Sequence, residues 1–120
     1  MNTRRDFIYI DDLISVVKKS VYGGGQLGYY HISSGSDYSI KELFDSTLEA
    51  LAITLEEDVE VRERSADDVF TILIDPSRTN NDFDWSVSTP LREGIQKTVE
   101  WYAEFGITNT YTHLKPVAEG

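Results

Sequence analysis

A chain of 120 residues fits one domain, and folding buries roughly two-thirds of the surface that its unfolded form exposes. Its 21 acidic against 11 basic residues give a net charge of −10, which argues against nucleic acid as a general partner because neutralising phosphates needs clustered lysine and arginine. Cysteine is absent, so disulfides and thiolate metal sites are excluded, and no apolar run approaches the ~18 residues that a membrane span needs. The N-terminus, with Asp6, Asp11 and Asp12, lacks the apolar core of a signal peptide, so a cytoplasmic protein is expected.

Phe7-Ile8-Tyr9-Ile10 reads as a short strand, and Asp11 is placed to cap the helix after it. Leu13, Val16, Val17 and Val21 mark one helical face, Lys18 and Lys19 suit the helix C-terminus, and Gly23-Gly24-Gly25 stops it. Tyr29 to Ser33 reads as a strand ending in the turn Ser34-Gly35-Ser36-Asp37. Ser39-Ile40-Lys41-Glu42 is a capping box that opens a helix to about Ala52, with Leu43, Phe44, Leu48 and Leu51 as its apolar stripe and Tyr38 as a staple onto Leu43. Val59 to Arg64 and Phe70 to Ile74 read as strands, and Asp75-Pro76-Ser77 starts a helical turn towards Phe83 and Trp85. The last helix begins near Thr89 and Pro90 and carries Leu91, Ile95, Val99 and Tyr102. Residues 108–120 lack periodicity and are expected to be an irregular or disordered tail behind a domain of residues 1–107. The order β-α-β-α-β-β-α fits an α/β class, a small mixed domain of short strands and about three main helices, with no Rossmann domain.

Two strings imitate cofactor chemistry. Gly23-Gly24-Gly25-Gln26-Leu27-Gly28 matches G-x-G-x-x-G, but that motif needs a strand before it and a helix after it, and here the order is reversed. The string reads as a flexible helix-to-strand connection. Tyr111-Thr112-His113-Leu114-Lys115 matches Y-x-x-x-K, yet it lacks helical periodicity and is followed by Pro116, so the match is read as coincidence. His31 and His113 form no cluster for a metal, and Asp11 and Asp12 read as acidic helix-start residues rather than a catalytic pair.

Four segments in order carry a resemblance. Arg5-Asp6-Phe7-Ile8-Tyr9-Ile10-Asp11-Asp12-Leu13 is similar to the R-D-F/Y/W-I/V/L-x-V/I-D-D-L/V segment of the extended short-chain dehydrogenase/reductase family, the nucleotide-sugar epimerases and dehydratases of UDP-glucose 4-epimerase type. Ser39-Ile40-Lys41-Glu42-Leu43 behind a Ser-Gly turn, Asp75-Pro76-Ser77-Arg78, and Trp85 with Leu91 to Tyr102 follow, with Asp84 where that family has glycine before the tryptophan and His31 where it usually has asparagine. The resemblance covers residues 5 to about 105 and implies sugar-nucleotide chemistry by transient hydride transfer to NAD. In the family the first segment comes late, after a complete dinucleotide-binding domain. Here only four residues precede it, so the resemblance implies a C-terminal, substrate-binding portion without the cofactor-binding and catalytic half.

By that resemblance Arg5 contacts the diphosphate of a UDP- or TDP-sugar, and its planar fork of donors suits two phosphate oxygens. The bland reading of Arg5 is a surface pair with Asp6 or Asp11. Arg64 fits a later R-x-x-D pattern, Arg62 remains the alternative, and Asp67 or Asp68 would accept from ribose hydroxyls; a charged loop is the competing reading. Trp85, Trp101 and Tyr102 read as core and packing residues. No catalytic residue, metal or cofactor is assigned to this chain, NAD belonging to the parent family, and the chain alone is expected to be inactive. The expected partners are a nucleotide-sugar, and a Rossmann-type cofactor domain or a second copy, since an uncovered apolar face favours association.

Overall fold

Arg4 and Arg5 form the middle strand, β1 (Arg4–Arg5), of a three-stranded sheet. In the computed structural model, which describes residues 2–106, β1 runs antiparallel to β2 (Tyr38–Ser39) and parallel to β3 (Thr71–Ile72). Arg4 faces Ser39 and Thr71, and Arg5 faces Tyr38 and Ile72. Around this sheet lie α1 (Ile10–Val21), α2 (Ile40–Leu51), α3 (Ser77–Phe83) and α4 (Leu91–Phe105). The described residues thus form a small α/β unit with four helices, α3 being the short turn expected after Asp75.

The helix after Ser39 forms because its start signals are local. The Ser39 hydroxyl accepts from the Glu42 amide at 3.1 Å, and Glu42 reaches back to the Ser39 amide at 2.7 Å. Those bonds from the Ser39 backbone and side chain hold the Glu42 carboxyl below its ordinary range, as the charge of Arg4 also does. Ala52 ends α2 in the left-handed region with φ 53°.

The strands expected over residues 7–10, 29–33 and 59–64 are not formed, and β3 keeps only two of the residues expected between Phe70 and Ile74. A strand exists only where a second strand completes its ladder, and among the described residues nothing pairs with those segments. Side chains fasten residues 29–33 instead. The fully buried Thr79 hydroxyl donates to the His31 carbonyl at 2.6 Å, the buried Ser33 hydroxyl to the Ile74 carbonyl at 2.8 Å, and Arg78 to the Tyr29 carbonyl at 3.1 Å.

The core is small. Among the described residues Val16, Phe83 and Trp85 are its buried apolar side chains, with Tyr30, Ile32 and Val87 packed around them. Tyr30 meets Phe83 edge-to-face at 4.8 Å between ring centroids and donates its hydroxyl to Asp82. Asp84, where the resembling family has glycine, takes φ 45° and ends α3; aspartate is among the few residues that tolerate this left-handed turn. Trp85 then turns inward and donates its indole N–H to the Ser15 hydroxyl at 2.7 Å.

Two packing expectations are corrected. On α1 only Val16 of the apolar stripe is buried, while Leu13, Val17 and Val21 lie exposed. Trp101 and Tyr102 are exposed rather than core, touching each other and, for Trp101, Phe105 on the same helix. In both cases the periodicity marks an apolar face correctly, but the described residues supply nothing to cover it.

Candidate phosphate site around Arg5

The middle position of β1 gives Arg5 a fixed base. Its guanidinium does not reach Asp6 or Asp11. It bends towards the segment just before β3, where Nη2 meets the Asp68 carboxylate at 2.7 Å and Nη1 donates to the carbonyls of Arg4 at 2.7 Å and Val69 at 2.8 Å. Arg64 Nη1 donates to the main-chain carbonyl of the same Asp68. Asp68 closes a turn with its amide on the Ser65 carbonyl at 3.2 Å. Arg5, Arg64 and Asp68, which the sequence reading named separately, are therefore brought together.

Beside them lies a cavity of about 610 Å³ bordered by Thr3, Ile40, Arg62, Arg64 and Asp68. Arg62 contributes a loose, exposed contact with Glu60 at 3.5 Å, and Asp67 is exposed. Both arginines of the R-x-x-D region thus reach the cavity, and Arg64 is the one coupled to Asp68.

Arg4 escaped the sequence reading. Its Nε and Nη2 donate to the Asp37 carboxylate and carbonyl at 3.0 and 2.8 Å, and Nη1 lies 3.5 Å from Glu42. It ties β1 to the start of α2, freeing its neighbour for the other side of the sheet. Asp6 likewise has a structural task, accepting from the Ser34 amide and hydroxyl. Both partners lie about thirty residues away in sequence, and no local pattern announces them.

The two aspartates at α1 separate in role. The helix starts at Ile10 with Tyr9 at the cap position and no side-chain cap bond, so the expectation that Asp11 caps it is corrected. Beginning two residues earlier, the helix places Asp11 and Asp12 in its first turn, where acidic side chains still suit the positive end of the dipole. Asp11 is exposed. Asp12 is buried and accepts from the Ser88 amide and hydroxyl at 3.1 and 2.7 Å and from the Thr89 amide at 3.0 Å.

The glycine-rich loop does not fit a dinucleotide. It receives the C-terminal end of α1, and three of its amides are taken: Gly23 donates to Ser20, Gly24 to Lys19, and Gln26 to the Tyr30 hydroxyl. Nor is it merely a flexible connection. A Cβ on Gly25 would stand 2.3 Å from the Phe83 ring, and φ there is +74°, so glycine lets the backbone lie directly on the core. The Tyr111–Lys115 string lies outside the described residues, as do residues 108–120 with His113. Among the described residues no group of three or more acidic or histidine side chains is placed to hold a metal, and no helix is long and apolar enough to cross a membrane.

No protein-family model matches the chain. Comparison with solved structures finds the Bordetella bronchiseptica enzyme WbmH in complex with NAD+, 42% identical, with a TM-score of 0.77 over 88% of this chain and 35% of that one. It also finds WbmG of the same organism in complex with NAD and UDP, 34% identical, with a TM-score of 0.81 over 95% of this chain and 37% of that one. Among curated proteins, UDP-arabinose 4-epimerase 1 of Arabidopsis thaliana is 24% identical over 100 residues, which cover 81% of this chain and 23% of the relative. The chain spans about a quarter of the length of such curated relatives, 24% and 30% for two from rice. Its homologues and structural neighbours include NAD-dependent UDP-sugar epimerases and dehydratases of the extended short-chain dehydrogenase/reductase family.

Proposed function

We propose that the chain is the nucleotide-sugar-binding part of an NAD-dependent epimerase or dehydratase acting on a UDP- or TDP-sugar. The observation that carries this reading is the match to WbmG, solved with NAD and UDP, over 95% of this chain. The convergence of Arg5 and Arg64 on one anionic residue beside a cavity supports it, because two guanidiniums there provide the donors that a diphosphate needs. Arg5 and Arg64 take the phosphates, with Arg62 as alternative at the cavity edge, and Asp67 takes the ribose hydroxyls because Asp68 is engaged by Arg5. On this reading the chain alone turns over no nucleotide-sugar.

Calorimetric titration with UDP tests the reading. Wild type should bind, and Arg5→Ala should weaken binding about tenfold, as expected for a lost charge-assisted contact. Arg5→Lys should rescue only part of this, since an ammonium keeps the charge without the fork. Arg5→Ala binding as well as wild type removes Arg5 from the site.

A second reading, a non-catalytic interaction module, is favoured by the uncovered apolar surface. Ile10, Leu13, Ile14, Val17 and Val21 line the outer side of α1, and residues 69–74 form an exposed run with a single polar residue, Thr71. Surfaces of this kind drive association with a second copy or with a separate cofactor-binding chain. Light scattering over a concentration series should then show mass rising above the monomer, and Val17→Glu should restore the monomer. A wild type that stays monomeric throughout argues against self-association.

A further inference from the structure

We propose that Asp68 is an intramolecular competitor for the phosphate groups of the ligand, holding Arg5 until an anion displaces it. The inference rests on the reading of Arg5 as a phosphate-binding residue. Asp68 stands at the junction: it borders the 610 Å³ cavity, whereas Arg5, paired with it at 2.7 Å, does not. A phosphate entering from the cavity therefore meets the Asp68 carboxylate before it meets Arg5.

Chemistry sets the two in competition. The Arg5 Nη1 hydrogens point at the carbonyls of Arg4 and Val69, so Nη2, which Asp68 engages, is the terminal nitrogen left to bind an anion. Carboxylate and phosphate oxygens compete for that position, and two anions side by side repel one another. Asp68 is also able to leave. Its side chain is 40% exposed, against 26% for Arg5, and residues 61–67 before it are all exposed. Its carbonyl is the atom that Arg64 holds, so ligand capture by Arg64 loosens the same residue. The two arginines are thereby coupled, each released for the ligand by movement of one aspartate.

The test is calorimetric titration with UDP of wild type, Asp68→Asn and Glu63→Gln at one ionic strength, with thermal melts to establish that each is folded. Glu63 borders the same cavity and has no ion pair with Arg5, so Glu63→Gln removes an equal charge without opening the clamp. Asp68→Asn should bind UDP about fivefold tighter, the scale of one partly exposed ion pair, and Glu63→Gln should change affinity less than twofold. In wild type, nitrogen-15 spectra should show the Asp68 amide and the Arg5 guanidinium shifting with the same UDP dependence. Equal affinity of Asp68→Asn and wild type, an equal gain in Glu63→Gln, or an Asp68 amide that stays still while Arg5 shifts would each overturn the competitor role and leave the phosphate reading standing. No binding by wild type and by Asp68→Asn alike removes the phosphate reading, and the competitor with it.

Discussion

Trp85→Ala is expected to remove a large share of the chain's folding stability at 25 °C. Truncating a buried tryptophan costs about 4 kcal/mol, from lost burial and from the cavity it leaves. Domains are stable by only ~5–15 kcal/mol in total, and among the described residues the core has three buried apolar side chains, of which Trp85 is the largest. The loss reaches beyond the core, because the indole N–H is bound to Ser15, and the Ser15 hydroxyl in turn donates to the Asp12 carbonyl at 2.7 Å. Trp85→Phe separates the contributions: it keeps the apolar body, gives up the hydrogen bond, and should cost less than half as much. Urea denaturation followed by circular dichroism measures both. A Trp85→Ala chain within 1 kcal/mol of wild type would mean that Trp85 does not hold α3 against α1.

What the sequence discloses here depends on how far away the cause of each feature lies. Ser39 and Glu42 stand three residues apart and settle the start of α2 between themselves, so the capping box is readable on inspection. Lys18 and the glycines after it mark the end of α1 in the same local way. The segments at residues 7–10, 29–33 and 59–64 carry strand-like composition, but a ladder needs a partner, and composition cannot state whether the partner is present. The helical stripes have the same weakness: Leu13, Val17 and Val21 repeat as a buried face should, while burial depends on what is packed opposite.

The candidate site shows the same division. Arg5 and Arg64 were identifiable through the segments around them, but not their shared dependence on Asp68, which lies 63 residues from Arg5. Sequence distance likewise hid Arg4 and its bond to Asp37. The role of Asp12 was hidden for a related reason. An acidic residue at a helix start has an adequate local explanation, and only the fold reveals that Asp12 serves a loop 76 residues away.

Asp12→Ala should accordingly destabilise the chain by about 3 kcal/mol, although the residue neither caps the helix nor touches the candidate phosphate site. Alanine would leave the buried Thr89 amide and the Ser88 amide and hydroxyl without their acceptor, at the point where the chain enters α4. Burial by itself would raise the Asp12 pKa, but the Ser88 and Thr89 donors together outweigh it and hold the carboxyl below its ordinary 3.8. A depressed folded-state value means that the stabilisation is complete above the unfolded-state pKa and is lost as pH falls through the lower, folded-state one. The difference between wild type and Asp12→Ala in urea melts should therefore be constant from pH 7 to about 5 and shrink below about 4. Glu42 and Asp75, also held below their ordinary range by hydrogen bonds, are present in both chains and cancel in that difference. A difference unchanged down to pH 2 would show that the cost arises from side-chain packing and not from the charge. Asp12→Asn then separates shape from charge: it retains one acceptor oxygen but no charge, so it should fall between the two chains at pH 7 and show little of the acid-induced loss assigned to Asp12.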